Sequence, residues 1–152
     1  MVGRIECCLK DAKPEAKRGG RSMQNSLEDY TRIFDALLQN SQDAVALCDT
    51  DQVILKINRA FTELFGHTEE EAVGKRLDLL VATTPEMMAS SDMQVDRIRI
   101  WEKVFTQAVR RTRKDGSTVP VSIEGNVFRL ANGERLILWN YREIPAEEGP
   151  GN

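Results

Sequence analysis

The segment spanning residues 110–144 constrains the fold most, because its pattern is that of three antiparallel strands joined by two tight turns. Gly116 interrupts an extended, charged stretch, and Gly133 follows Asn132 between two apolar runs. Glycine takes the positive φ that a hairpin turn requires at no steric cost. The segment therefore predicts a three-stranded antiparallel meander.

The faces of these strands follow from their alternation. One sheet face receives Val119, Val121 and Ile123. In the last strand, Leu136 and Leu138 point to one side of the sheet. The opposite side of this strand carries Ile137, Trp139 and Tyr141. Because both sides are apolar, we expect cover on each face of the sheet.

Length and charge limit the class of protein. The chain has 152 residues, of which 41% are hydrophobic and 30% charged, which suits one soluble globular domain. The net charge of -3 is unevenly distributed: residues 1–25 carry six Lys or Arg and three acids, and the remainder of the chain is acidic. Phosphate binding requires concentrated positive charge, so the composition disfavours nucleic acid as a partner.

The expected cellular compartment of the protein follows from two features that the sequence lacks. No apolar run approaches the roughly 20 residues of a membrane span, and the N-terminus has no signal-peptide core. We therefore expect a cytoplasmic domain. Cys7, Cys8 and Cys48 do not have the spacing of a metal or redox motif, which favours free or buried thiols.

The N-terminal part predicts a leader followed by a helix. Residues 1–25 mix charge and glycine without an apolar period, which indicates a disordered leader or linker. From residue 26 to about 40, apolar residues recur at helical spacing, and Ser26 with Asp29 resembles an N-terminal cap. The apolar stripe consists of Leu27, Tyr30, Phe34 and Leu37, widened by Ile33 and Leu38. This cap helix is a candidate cover for Leu136 and Leu138.

A hairpin and two short helices are predicted next. Residues 43–48 and 53–57 are short apolar runs separated by a turn-forming segment. Asn58 caps a helix that Gly66 ends, and Thr68 with Glu71 has the spacing of a capping box for a second helix that Gly74 closes.

The middle of the chain predicts a loop and one longer helix. Residues 83–92 have the character of a soft loop, and helical periodicity runs from Met93 to about Val109. Residues 145–152 are polar, with helix breakers, and we expect a flexible tail.

Five segments, in their order and spacing, resemble a PAS domain, the bacterial sensory module, over about residues 31–144. These segments are DAVALCDTD at 43–51, NRAFTELFGHTEEE at 58–71, VGK at 73–75, RKDGS at 113–117 and REI at 142–144. The resemblance implies an α+β fold: a five-stranded antiparallel sheet with short helices on one face and the N-terminal amphipathic helix on the other. The domain would span residues 26–144, including the cap helix 26–40.

The resemblance also implies a pocket between the sheet and the helices, which different family members use for haem, flavin, small metabolites or nothing. The cofactor stays open here. A haem held by His is disfavoured because the longer helix has no histidine, although Met87, Met88 or Met93 would be weak iron ligands. Covalent flavin photochemistry is disfavoured because residues 75–79 do not match the photoreceptor signature Asn-Cys-Arg-Phe-Leu.

Candidate pocket residues are the aromatic and inward-facing side chains. If Trp139 and Tyr141 face inward, their polar tips need partners, which a ligand or Asn58 would supply; the alternative is that both simply fill the core. Gly125 either leaves room for a ligand or marks a strand bulge. The candidate set is Asn58, Phe61, Phe65, Trp101, Phe105, Val121, Ile123, Trp139 and Tyr141.

A second candidate set belongs to dimerisation, because such domains pair through the N-terminal helix. Asn140 is a polar position on the apolar outer face, suited to pairing specificity or to strand-edge hydration. The interface candidates, for the cap helix or for a second subunit, are Tyr30, Phe34, Leu37, Leu136, Leu138 and Asn140.

Other chemistry-bearing residues have plainer explanations. His67 lies at a helix junction and is interpreted as a solvated loop histidine, and Cys48 as a packing thiol beside acidic residues. The basic cluster at 110–114 is interpreted as a solvated edge strand. The sequence contains no Ser-His-Asp set, metal spacing or phosphate-binding glycine loop, so we expect no enzyme and no metal site.

These observations lead to one main hypothesis and one alternative. The chain is predicted to be a sensory domain that binds a small ligand or partner. It would regulate an attached or separate effector, of the histidine kinase or diguanylate cyclase type, as a homodimer. The alternative is a ligand-free module for protein–protein dimerisation.

Overall fold

The computed structural model describes residues 26–145, apart from the side chain of Gln107. The predicted leader at 1–25, with Cys7 and Cys8, lies outside the described residues, as does all of the predicted tail except Pro145. The elements in chain order are α1 (Leu27–Asn40), β1 (Ala44–Cys48), β2 (Ile54–Ile57), α2 (Arg59–Phe65), α3 (Glu69–Ala72), α4 (Leu77–Val81), α5 (Pro85–Trp101), β3 (Lys103–Thr112), β4 (Thr118–Arg129) and β5 (Arg135–Glu143).

The five strands form one antiparallel sheet with the order β2-β1-β5-β4-β3. The first hairpin and the terminal meander join neighbouring strands, and β5 pairs with β1 at the centre of the sheet. Gly116 and Gly133, at φ 93° and 92°, lie in the turns that precede β4 and β5. The predicted α+β fold with a five-stranded antiparallel sheet is confirmed.

The chain divides into two compact units, one ending at Asp35 and the other starting at Ala36. The described residues of the first unit are the start of α1, where Ser26 and Asp29 cap each other as predicted. The second unit contains the end of α1, the sheet and helices α2–α5. In the described part of the chain, no helix has the length and apolar character needed to cross a membrane.

The short helices follow their predicted caps. The Asn58 side chain accepts a hydrogen bond from the Phe61 N–H at the start of α2, and Gly66 ends that helix in the left-handed conformation. Thr68 and Glu71 form a complete capping box for α3. Helix α4 was not predicted, because its five residues are too few to show a period.

The boundary between α5 and β3 differs from the sequence prediction. The predicted loop at 83–92 is largely helical, because the Thr84 hydroxyl accepts from the Met87 N–H and Pro85 occupies the first helical turn. The helix ends at Trp101, where Glu102 adopts a left-handed cap at φ 61°. Residues 103–112 are therefore strand, and the predicted helix from Met93 to Val109 was wrong over its second half.

The core lies between the inner face of the sheet and helices α2–α5. It buries the inward residues of β4 and β5, including Val121, Ile123 and Tyr141. The rings of Phe61 and Phe65 lie 6.1 Å and 5.2 Å from the ring of Tyr141, both edge to face. The predicted inward face of β5 is confirmed, and Leu136 and Leu138 on the outer face are half-buried.

Candidate functional site

Most of the predicted pocket residues lie together in the buried inner layer of the second unit. These residues are Asn58, Phe61, Phe65, Val121, Ile123, Trp139 and Tyr141. Two others do not lie there. Trp101 ends α5 and is 74% exposed, and Phe105 faces outward from β3 opposite Glu124 and is 58% exposed. The sequence predicts both on one helical period, but only Trp101 belongs to α5, as its last residue, and Phe105 lies in β3.

Trp139 has a protein partner for its polar tip. Its indole Nε1 donates a hydrogen bond of 2.9 Å to Oε1 of Gln52, a residue of the turn between β1 and β2. Gln52 is 4% exposed although it lies in a turn, and its backbone is left-handed at φ 69°. The predicted partner Asn58 is not involved.

Asn58 uses its whole hydrogen-bonding capacity inside the protein. Its Oδ1 accepts from the backbone N–H groups of Val45 and Phe61, and its Nδ2 donates to the backbone oxygens of Leu38 and Asp43. An amide side chain with these bonds has no donor left for a ligand. Asn58 therefore joins β1, α2 and the end of α1, and these bonds disfavour its predicted role as a ligand contact.

Gly125 neither leaves a void nor marks a bulge. It pairs with Trp139 across β4 and β5, and a Cβ built at this position would lie 2.6 Å from the Trp139 ring. The indole therefore occupies the space that the missing side chain leaves. The register shifts of the sheet lie elsewhere: one is in β1, between Leu47 and Cys48, and one is in β3, between Thr106 and Val109, where Ala108 has a φ of 60°.

The inner layer also contains four polar residues that sequence reasoning missed. They are Gln52, Asp78, Gln94 and Arg111, each at most 5% exposed. Among the described residues, the Nε2 atoms of both glutamines and Oδ1 of Asp78 have no hydrogen-bond partner. Gln94 shares a face of α5 with Ile98, so its helical position was a usable signal; Asp78 and Gln52 offered none.

Arg111 is a buried cation. Its guanidinium donates to the backbone oxygen of Arg110 and to Oε1 of Gln94, and no carboxylate between residues 26 and 145 pairs with it. Burial lowers the pKa of Arg111 below its ordinary value. Tyr141 is close enough to interact with this charge, and burial raises the pKa of its phenol.

The predicted basic cluster is consequently not one solvated surface. Arg111 faces the core, whereas Arg110 bonds the Thr118 hydroxyl. Arg113 donates to the backbone oxygen of Leu64, and Lys114 pairs with Glu71. The interpretation as a solvated edge strand holds for the exposed Arg110 and Lys114 at this edge of the sheet, and it is wrong for Arg111.

Cys48 and His67 differ in how deeply they are buried. Cys48 is fully buried, and burial together with Asp49 and Asp78 raises the pKa of its thiol, which confirms a packing role. His67 is half-buried instead of solvated, and burial is the main cause that lowers its pKa. In the described part of the chain, no group of three acidic, His or Cys residues could hold a metal ion.

Two apolar surfaces face outward. On α1, Tyr30, Phe34 and Leu37 are 41%, 42% and 71% exposed. On the outer face of the sheet, Leu136, Leu138 and Asn140 are half-buried, with the exposed rings of Phe105 and Phe128 on the same face. Both sets of predicted interface residues thus have surface available.

Comparison with known proteins agrees with this architecture. A family model described as the PAS fold matches residues 32–144, and the chain therefore belongs to the PAS family. PAS domains are generally sensory and signalling modules, and this is the class of protein that the fold defines. No curated protein matches the sequence.

Solved PAS domains superpose closely on the chain. The PAS domain of a protein from Colwellia psychrerythraea is 17% identical, with a TM-score of 0.67, over 76% of this chain and 98% of that one. The PAS domain of an HTR-like protein from Haloarcula marismortui is 26% identical, with a TM-score of 0.64, over 78% and 94%. A PAS domain from a two-component sensor histidine kinase is 16% identical, with a TM-score of 0.66, over 78% and 100%.

Proposed function

We propose that this PAS domain is a cytoplasmic sensor that binds a small ligand or partner. It acts as a homodimer that regulates an attached or separate effector of the histidine kinase or diguanylate cyclase type. It has no catalytic role of its own. The sensor histidine kinase among the structural neighbours supports the kinase assignment as an analogy.

The proposal of a homodimer rests on the exposed apolar stripe of α1. Leu27, Tyr30, Phe34 and Leu37 recur at helical spacing, and each is at least 41% exposed. Full burial of a large apolar side chain contributes about 1.5–3 kcal/mol, so covering the remaining exposed surface of these four residues with a second copy offsets part of the cost of association. Placement of α1 against Leu136 and Leu138 stays a prediction.

The proposal that the domain binds a small ligand is supported by the polar groups of the inner layer. Unpaired buried donors and acceptors are rare in native proteins because each costs free energy. Here Gln52, Asp78 and Gln94 each have one such atom. A ligand that satisfied them would stabilise one arrangement of the helices against the sheet and so shift a conformational equilibrium.

The dimer is tested by analytical ultracentrifugation across a dilution series. We expect wild type to dimerise and the double variant Phe34→Glu/Leu37→Glu to be monomeric, with an unchanged circular dichroism spectrum. Arg32→Glu is the matched control, because it makes the same change of two charge units on an exposed residue of the same helix. A monomeric wild type, or a dimeric double variant, would contradict the proposal.

The alternative, a ligand-free dimerisation module, has one observation in its favour. The space at Gly125 is already filled by Trp139 and Ile98. Native mass spectrometry and an absorption spectrum of the purified protein separate the two functions. A retained small molecule or a visible chromophore band supports sensing, and a dimer of bare polypeptide mass supports the alternative.

A further inference from the structure

A cleft of about 550 Å³ opens beside the inner layer, within the second unit. Its walls are the β1–β2 turn at 51–53, the start of α4 and the middle of α5. Backbone bonds fix the first two walls to each other: the Leu77 N–H donates to the Gln52 oxygen, and the Ile54 N–H donates to the Lys75 oxygen, both at 2.9 Å. The cleft is thus built on a rigid frame.

Gln52, which lines this cleft, has an unused hydrogen-bond donor. Its Oε1 accepts from Trp139, while its Nε2 is buried and has no partner among residues 26–145. The residue occupies a left-handed backbone position that side chains rarely adopt, held by an Asp49 carboxylate that accepts from the N–H groups of Asp51 and Val53. Two donor hydrogens are therefore held in place by the Trp139 bond.

Asp78 brings an unused acceptor. The side chain is 3% exposed, its Oδ2 accepts from Nη2 of Arg76, and its Oδ1 has no partner in the described chain. Arg76 is half-exposed and lines the same cleft. Gln52 and Asp78 thus both line the cleft, and each has one buried polar atom without a partner among the described residues.

The charge around the cleft indicates what these atoms would bind. Besides Asp78, the lining includes Asp51, Asp92 and Asp96, against the two cations Arg76 and Arg99. This excess of carboxylates disfavours an anion. The unpaired Nε2 of Gln52 requires an acceptor, and the unpaired Oδ1 of Asp78 requires a donor. An amide edge, with C=O beside N–H, provides both in one small molecule.

We propose that the cleft formed by Gln52 and Asp78 is a binding site for a small uncharged ligand with a cis-amide edge, such as a cyclic imide, a lactam or a primary amide. The ligand carbonyl accepts from Nε2 of Gln52, and the ligand N–H donates to Oδ1 of Asp78. Because Gln52 also holds Trp139, occupancy is communicated to β5. This inference supplies the ligand class for the proposed sensor and rests on that function.

The test uses uracil as the probe and 1,3-dimethyluracil as its matched control, because methylation removes both N–H donors and keeps both carbonyls. Titrations followed by ¹⁵N-resolved NMR report the side-chain NH₂ of Gln52 and the indole N–H of Trp139. The variant Gln52→Glu assigns the NH₂ signal by its loss. We expect uracil to move both signals in a saturable manner and 1,3-dimethyluracil to leave them unchanged.

Two variants locate the binding. Asp78→Asn keeps an oxygen for Arg76 but offers the ligand a donor in place of an acceptor, and we expect uracil affinity to fall roughly tenfold to a hundredfold. Asp92→Asn makes the same charge change on an exposed residue of the cleft and should leave affinity within about twofold of wild type.

Three results would overturn the inference: equal responses to uracil and 1,3-dimethyluracil, equal affinities of the Asp78→Asn and Asp92→Asn variants, or no response to uracil. The last result would mean that water alone satisfies Gln52 and Asp78. Native mass spectrometry and the absorption spectrum of the purified protein report a retained ligand of any class, so their outcome separates failure of this ligand class from failure of the sensor function.

Discussion

Gly125 and Trp139 are direct partners across β4 and β5, and the indole ring occupies the volume where any other residue at 125 would have its Cβ. The ring would lie 2.6 Å from that atom, and Ile98 of α5 would approach equally closely. The absence of one side chain therefore sets the position of Trp139, and through its bond to Gln52 it also sets the β1–β2 turn.

Substitution of this glycine should be costly. We expect Gly125→Ala to lower the free energy of unfolding by about 1–3 kcal/mol, because overpacking forces the ring or Ile98 to move. Urea denaturation measures the loss, with Ser122→Ala on the outer side of the same strand as the control.

A second measurement reports on Trp139 itself. In a Trp101→Phe background, which removes the exposed indole, we expect Gly125→Ala to change the fluorescence of Trp139 as its contact with Gln52 weakens. An unchanged stability and an unchanged spectrum would show that the core accommodates the methyl group.

The sheet could be predicted from the sequence wherever its period was regular, and β3 shows why the prediction failed elsewhere. Val104 and Thr106 face inward, but the bulge at 107–108 shifts the alternation, so that Val109 and Arg111 face inward next. An interrupted period of two next to a helix mimics a period of 3.6, and Phe105 at the junction fits either pattern. Only the pairing with β4 resolves the ambiguity.

The apolar residues of the site could be predicted, because apolar and polar residues alternate along a strand that buries one of its faces. The polar residues could not be predicted in this way. Gln52 lies in a turn where exposure is the normal expectation, and Arg111 lies in a run of basic residues that is typical of a solvated edge. Their burial depends on partners distant in sequence, Trp139 and Gln94, and local patterns carry no record of such pairs.

The buried cation leads to a second prediction. Since Arg111 has no carboxylate partner among the described residues, relief of its desolvation offsets the loss of the donor to Gln94, and we expect Arg111→Met to change the free energy of unfolding by less than about 1 kcal/mol. Gln94→Leu should instead lower it by about 1.5–3 kcal/mol, because it removes an acceptor from a buried charge.

The double variant decides whether these effects are coupled. Gln94→Leu should cost little when residue 111 is already Met, and a double-mutant cycle from urea unfolding measures this coupling. Purely additive effects would show that Gln94 stabilises the fold by another route.

A third prediction concerns acid stability and the Glu71–Lys114 pair. Lys114 donates to Oε2 of Glu71 at 2.6 Å and the Thr68 N–H donates to Oε1, which together lower the pKa of Glu71 to about 2. Because the folded pKa lies below the unfolded value, the stabilisation is present above the ordinary pKa of 4.5 and is lost as the pH falls from 4.5 towards 2.

The measurement compares wild type with Glu71→Gln, which cannot ionise. The stability advantage of wild type should shrink across this pH window, whereas Glu70→Gln, at an exposed position of the same helix, should follow wild type. A constant difference between wild type and Glu71→Gln down to pH 2 would contradict the assigned role of Lys114.

The last prediction uses His67, the only histidine in the sequence, whose ring gives a single NMR titration curve. Burial lowers its pKa below 6.5, and its Nε2 is buried without a partner among the described residues. The folded state therefore binds this proton less readily than the unfolded chain does, so stability should decrease as the pH falls below about 6.5. We expect the ring protons to titrate with a midpoint below 6.5, and His67→Gln to abolish the corresponding loss of stability. A midpoint at or above 6.5 would show that Glu71, which favours the charged ring, outweighs burial.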